Sequence, residues 1–368
     1  MSTIPPHESA VPAARQPGPA PQQIILQQQA PTAFGRYGKL LLVLLGICVM
    51  VIIGQNASYQ KYFSPAGEPQ EKYHSLSKDA TDKVAIIRVE GTILDPDGFV
   101  KKQIDRVRDD KEIKAIVLRV DSPGGTVTAS DYLYHELKEL VEERDIPMVV
   151  SMGSICASGG YYLAMAAGDQ KVQEDVIFAE PTTWTGSIGV VIPHYDISEL
   201  LTSWKVKDDS VASHKYKLMG SPTRELSPAE RAEERELLQG LVDESFERFK
   251  KIVLDGRPKL KENEAELKKA TTGQIFTAEQ AQKLGLVDKI GFLEAAVERA
   301  TELAGLEADN VRCIDYEQPP SPLSAFLGAD SGLIPARSGV DLAKVLDLTA
   351  PRAYYLCTWL PAILSNSR

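Results

Sequence analysis

The stretch AIVLRVDSPGG, residues 115–125, decides the fold. Ala115 to Val120 are apolar except for Arg119, so neither face of this segment is reserved for water, which is the habit of a strand covered on both sides in a parallel sheet. The strand then breaks at Asp121-Ser122-Pro123-Gly124-Gly125. Proline cannot continue the ladder and glycine accepts a positive φ. Such a break leaves backbone N–H groups unpaired at the carboxyl end of the sheet, where open α/β sheets bind their ligands. Two readings stay open for it: a strand-to-helix turn, or one half of an oxyanion hole.

The same pattern recurs on either side. VAIIRV (84–89) and PMVVSM (147–152) are further buried strands, separated by helical runs at 99–108 and 129–144. The second of these carries Leu133, Leu137, Leu140 and Val141 on one face. Strand, helix and strand in alternation predict an α/β body with right-handed crossovers. Later helices announce their starts: Ser227-Pro228 with Glu230, and Thr277 with Gln280, are capping boxes, and Gly285 ends the second helix. There is no internal repeat of the whole unit. The body is expected to end near residue 305.

Two more glycine-containing loops stand out. SMGSICASGGYY (151–162) takes a strand into a helix, with Ser158 at the junction. There it is either an N-cap or a nucleophile, because a helix start favours the negative charge that develops when a carbonyl is attacked. Ser151 and Ser154 do not adjoin the helix start. The pattern differs from the G-x-S-x-G elbow, and without Gly-Lys-Ser/Thr it is not a phosphate loop. TGSIGV (185–190) reads as a turn followed by a strand. A serine hydroxyl needs a base. His135, His194 and His214 stand in polar surroundings, whereas Lys215 and Lys217 in SHKYKLMGSP form either a solvated loop or a source of one general base.

The chain has 368 residues, 43% apolar and 25% charged, with a formal charge of −10. Those values fit a globular protein and argue against nucleic acid as a partner, which requires a basic surface. Four cysteines do not make a disulfide framework, and at most Cys313 and Cys357 are placed to pair. The N-terminus differs from this average. Residues 1–36, rich in Pro, Gln and Ala, read as a disordered tail. Leu40 to Ile53 is then uninterruptedly apolar after Arg36 and Lys39. Fourteen helical residues reach only ~21 Å of a ~30 Å hydrocarbon core, so residues 37–57 are needed to complete a transmembrane signal anchor. The basic flank predicts a cytoplasmic N-terminus and an extracytoplasmic body, in a bacterial inner membrane. A cleaved signal peptide and a soluble helix are the other two readings. Residues 58–82 read as a stalk.

In this order, D-S-P-G-G-x-V-x-A-S, S-M-G-x-x-x-A-S-G-G-Y-Y, T-G-S-I-G-V and Y-K-x-x-G-S-P-x-R resemble the signal peptide peptidase A family of Ser-Lys serine peptidases, over about residues 82–305. Residues 273–291 are similar to the closing segment of that family. The resemblance implies a ClpP/crotonase-like α/β fold with repeated ββα units, preceded here by one transmembrane helix. It implies Ser158 as nucleophile and Lys217 as general base, with Lys215 in reserve. Ser187 would orient the lysine, and the amides of Gly125 and Gly159 would form the oxyanion hole. No metal or cofactor is implied. The family resemblance further implies a homo-oligomer, with an octamer the expectation, in which serine and lysine come from adjacent subunits, and apolar peptides left from signal sequences as substrates. Cys156 and Leu218-Met219 depart from the family pattern. A catalytically idle membrane scaffold and a crotonase-type acyl-CoA enzyme are the rival functions. The C-terminal segment 306–368 falls outside the resemblance and reads as a strap onto a neighbouring subunit, an interfacial membrane contact or a core strand.

Overall fold

The computed structural model describes residues 33–63, 68–168, 174–318 and 354–356. The expected tail is outside the described residues apart from 33–36. The chain divides into two units, Met1–Pro65 and Ala66–Arg368. In the first, helix α1 (Ala33–Phe63) carries the apolar run, and its side chains from Leu40 to Ile53 are exposed. Among the described residues no helix is long and apolar enough to cross a membrane.

The second unit is a mixed α/β body. Its strands are β1 (Gln70–Leu76), β2 (Asp82–Glu90), β3 (Ile113–Ser122), β4 (Gly124–Thr126), β5 (Met148–Ala157), β6 (Ile177–Ala179), β7 (Trp184–Gly186), β8 (Ile275–Thr277), β9 (Lys289–Ile290), β10 (Val311–Glu317) and β11 (Tyr354–Leu356). Its helices are α2 (Phe99–Asp109), α3 (Val127–Arg144), α4 (Gly159–Ala164), α5 (Ser198–Ser203), α6 (Pro228–Gly256), α7 (Glu264–Ala270), α8 (Ala278–Lys283) and α9 (Leu293–Leu303). The main sheet runs β1-β10-β2-β3-β5-β6-β9, with β7 beside β5 and β8 beside β7, and from β10 to β9 it is parallel.

Alternation along the central strands explains their unbroken apolar sequence. Ile87, Ile116, Leu118 and Val150 face one core with Ile104, Leu133 and Leu137 of α2 and α3. Ile86, Val117 and Val149 face another with Ala296, Val297 and Ala300 of α9. Both capping boxes form as expected, with Ser227 accepting from the Glu230 amide and Thr277 from the Gln280 amide.

The boundaries of the body differ from those expected. The stretch expected as a stalk, 58–82, contains β1, which pairs antiparallel with β10, and β10 lies beyond the expected end at 305. Neither strand shows clear alternation, because β1 is a polar edge strand whose one partner among the described residues, β10, is supplied some 240 residues later. Cys313 is buried in β10 with a free thiol, and Cys357 lies outside the described residues. Likewise 306–368 is not wholly a separate extension, since β10 joins the sheet and β11 pairs with β4 of the same chain.

Candidate active site

Strand β5 delivers Ser158 to the start of α4 at φ 55 and ψ −114, a conformation that costs a non-glycine residue on the order of 1–3 kcal/mol. Two hydrogen bonds hold it there: the Ser158 amide donates to the Gly186 carbonyl (2.8 Å), and the Tyr162 amide donates to the Ser158 carbonyl (2.9 Å). This is a strained strand-to-helix junction without the glycine spacing of the G-x-S-x-G elbow. The Ser158 hydroxyl is buried and has no hydrogen-bond partner among the described residues.

The neighbouring serines are committed elsewhere. Ser151 accepts from Arg119 (2.9 Å), Ser154 donates to Asp121 (2.6 Å), and Ser122 accepts from the Gly124 amide (3.1 Å). Cys156 is fully buried, which pushes its thiol well above the usual range and keeps it protonated, so it is no rival nucleophile.

The glycine loops converge on Ser158. A Cβ placed on Gly124 would lie 2.6 Å from the Gly159 nitrogen, and one on Gly159 would lie 3.1 Å from the Gly125 nitrogen. The backbone of the first loop and the first turn of α4 therefore share one small space. Ser187 follows Gly186, the acceptor of the Ser158 amide, and is itself at φ 52 with its amide bonded to the Gln274 carbonyl (2.7 Å). The stretch expected as a turn before a strand is thus a strand, β7, ending at this turn. Asp121, which also accepts from the Ile155 amide (3.1 Å), and Thr185, which donates to the Cys156 carbonyl (2.6 Å), hold β5 in place. Both open a motif quoted above, but the sequence did not show these roles, since each acts on a backbone atom at least 29 residues away.

No hydrogen bond joins either lysine to the Ser158 hydroxyl among the described residues. Both lie on an exposed 3₁₀ turn, Lys215–Leu218. Lys215 pairs with Glu233, and that hydrogen bond raises its pKa. Among the described residues no hydrogen bond or ion pair engages the Lys217 ammonium. His135, on the exposed face of α3, pairs with Glu139 (3.2 Å).

The glycines differ in what surrounds them, which yields a test. A Cβ on Gly125 would meet the Ile93 carbonyl oxygen at 1.8 Å, so Gly125→Ala is expected to displace β4 and remove activity with no simple rescue. On Gly159 it would meet the Ser130 hydroxyl at 2.4 Å, and that hydroxyl is buried without a partner among the described residues. Gly159→Ala should cost about 1–3 kcal/mol of overpacking, relieved in the double variant with Ser130→Ala. Thermal unfolding of the three proteins checks this, and a double variant no more stable than Gly159→Ala alone would refute it.

The chain is similar to known proteases. The sequence model of peptidase family S49 matches residues 141–307. A protein of Synechocystis sp., slr0021, whose designation is that of a proposed protease, is 36% identical over 264 residues, covering 72% of this chain and 90% of its own. The chloroplastic serine protease SPPA of Arabidopsis thaliana is 31% identical over 274 residues (71% of this chain, 38% of the relative), and Protease 4 of Salmonella typhi is 33% identical over 266 residues (70% and 40%). The chain thus spans about two-fifths of the latter two relatives. By these matches the chain belongs to peptidase family S49, the family of the SppA proteases.

Proposed function

We propose that this S49 serine protease is a membrane-anchored endopeptidase with a Ser158–Lys217 dyad, degrading cleaved signal peptides and other hydrophobic peptides. The observation that carries the proposal is the buried, unpartnered Ser158 hydroxyl, on a strained elbow beside the Gly159 amide and the Gly124-Gly125 backbone. Neutral Lys217 takes the Ser158 proton, and the Ser158 oxygen attacks a peptide carbonyl. The amides of Gly125 and Gly159 hold the oxyanion, and the protonated lysine gives its proton to the leaving amine. Lys217 then activates the water that splits the ester. Lys217 is preferred over Lys215 because the Glu233 pair favours the charged form of Lys215, which cannot accept a proton.

The serine and the lysine come from adjacent subunits in this reading, within a ring-like homo-oligomer for which eight copies remain the expectation. Its support is the surface around Lys217. Tyr195 (75% exposed), Trp204 (68%) and Val211 (98%) lie in the same segment, and Leu237 and Leu241 of α6 are exposed as well. So much exposed apolar area is characteristic of a surface that a partner covers. Exposed apolar side chains on α1 support anchoring, with residues 37–57 in the inner membrane and the catalytic body outside the cytoplasm. A parallel-rich sheet with glycine loops at its carboxyl ends suits a ClpP/crotonase-like fold.

Hydrolysis of an apolar reporter peptide by the full chain tests the dyad. Lys217→Ala should lose about three orders of magnitude or more, and Lys215→Ala less than about tenfold. The pH profile of hydrolysis should be unchanged by replacing His135, His194 or His214. Mixing and reassembling the inactive Ser158→Ala and Lys217→Ala chains should restore activity; a mixture that stays dead would place both groups in one chain. Failure of a fluorophosphonate probe to label Ser158 would leave the idle scaffold.

A further inference from the structure

A glutamate is buried where the helix that carries it is otherwise exposed. Of residues 228–248, the N-terminal part of α6, Glu234 alone is buried, at 7% exposure. Leu237 and Leu241, three and seven residues further on and so on the same side of the helix, are exposed. Hydrophobic patterning alone would do the reverse. Burying a carboxylate is costly unless its oxygens are paired. Both are: Glu234 Oε1 accepts from Arg224 Nη1 (3.0 Å), and Oε2 accepts from the Gly220 amide (3.1 Å).

Those partners belong to the loop that bears Lys217. Arg224 closes the motif Y-K-x-x-G-S-P-x-R, and its Nη1 also donates to the Leu218 carbonyl (3.4 Å), which accepts from the Ser221 amide as well (3.0 Å). Gly220 turns the chain at φ 74, a conformation that favours glycine. The residues one and three places after Lys217 are therefore tied to one buried ion pair. On the other side of Lys217, Lys215 and Tyr216 both donate to the Glu233 carboxylate. That grip is exposed, and exposed pairs contribute little. Adjacent glutamates of α6 thus hold the turn before and after Lys217, and only the second is shielded from water. The Lys217 amine stands on a flexible four-carbon stem, so its reach depends on where its backbone is held.

We propose that Arg224 and Glu234 are positioning residues for the general base: their buried pair fixes the turn Lys215–Leu218 on α6 so that the Lys217 amine meets the Ser158 hydroxyl. The inference rests on the Ser158–Lys217 reading above. Arg224 and Glu234 exchange no proton in the reaction and touch no reacting atom. Each acts through Lys217, so loss of the pair slows proton transfer from Ser158 while the glycine loops beside the serine stay as they are. Glutamate is required in full for this. A glutamine at 234 keeps one acceptor oxygen and turns an N–H group toward either Arg224 or the Gly220 amide, which are both donors.

Steady-state hydrolysis of an apolar reporter peptide by the full chain, with thermal unfolding of each variant, tests the proposal. Glu234→Ala and Arg224→Ala should each lower kcat about 10–100-fold and leave KM within about twofold, because a base displaced by about 1 Å loses rate and not substrate. Glu234→Gln should lose less than Glu234→Ala, and Glu233→Ala less than about threefold. In the Lys217→Ala background, Glu234→Ala should leave the residual rate unchanged, since nothing remains for it to position. Three results would overturn the inference and leave the dyad intact: wild-type kcat in Glu234→Ala, a further loss in the Lys217→Ala background, or a rise in KM in place of the fall in kcat. Should Glu234→Ala not fold, Glu234→Gln is judged by the same three outcomes. Full activity of Lys217→Ala would refute the inference and the dyad together.

Discussion

Ser158→Ala is expected to remove about six orders of magnitude of peptide hydrolysis while leaving the protein as stable as before, or slightly more so. The first expectation follows from the proposed role of the hydroxyl, because the proposed dyad would act as a unit and loss of its nucleophile would remove all of it. The second follows from its surroundings. The Ser158 hydroxyl is buried without a hydrogen bond among the described residues, and an unsatisfied buried hydroxyl costs about 1–3 kcal/mol of stability. Alanine keeps the Cβ and removes that penalty, while the hydrogen bonds that fix the elbow are made by the backbone and remain. Reporter hydrolysis and thermal unfolding of the full chain decide the matter. More than about 1% residual turnover would exclude Ser158 as nucleophile, and a fall in Tm would show that the hydroxyl has a structural partner.

Asp288→Ala should have the largest effect on stability. Arg257 is fully buried at the end of α6 and grips Asp288 with both guanidinium arms (3.1 and 2.7 Å), while its Nε donates to the Gly285 carbonyl (2.8 Å). Asp288 in turn accepts from the Val176 and Ile177 amides (3.0 and 2.9 Å), which fixes the start of β6. Removing one partner strands a buried charge, at about 3–5 kcal/mol, or roughly a 10–15 °C fall in Tm for a body of this size. Replacing both Arg257 and Asp288 by apolar residues should recover part of the loss, and a double variant worse than the single one would contradict this. The pair also sets an acid limit. Burial raises the Asp288 pKa, but the Arg257 hydrogen bonds, its charge and the two amides outweigh burial and hold it below the usual carboxylate value. Its folded value is therefore below its unfolded value of about 3.9, so the stabilisation is present above that pH and is lost as pH falls through the folded value. An acid titration of wild type against Asp288→Ala should converge there.

The sequence exposed the central sheet because β2, β3 and β5 are covered on both faces, which forces continuous apolar runs, and because Ser227 and Thr277 carry their capping partners three residues away. Ser158 was visible as a strand-to-helix junction, but its positive φ was not, since neither Cys156-Ala157 nor Gly159-Gly160 dictates it; the Gly186 carbonyl from β7 does. Strand β1, Gln-Glu-Lys-Tyr-His-Ser-Leu, reads as solvated linker because its exposed residues carry no period and its partner is at the other end of the chain. The lysine could be named but not placed, because what brings it to the serine is outside its own chain in the proposed assembly. The segment that holds β11 leaves a strap, a membrane contact and a core strand open, because nothing in three residues names β4 as their partner.

The order β1-β10-β2 also governs how the protein can be made. Strand β10 inserts between two strands that emerge from the ribosome more than 200 residues earlier, so one edge of β2 stays open until residue 317 has been synthesised. Closing so long a loop is slow, and an open strand edge invites association with other chains during the wait. Nascent chains halted before Val311 should therefore engage chaperones or aggregate, however complete their catalytic loops already are.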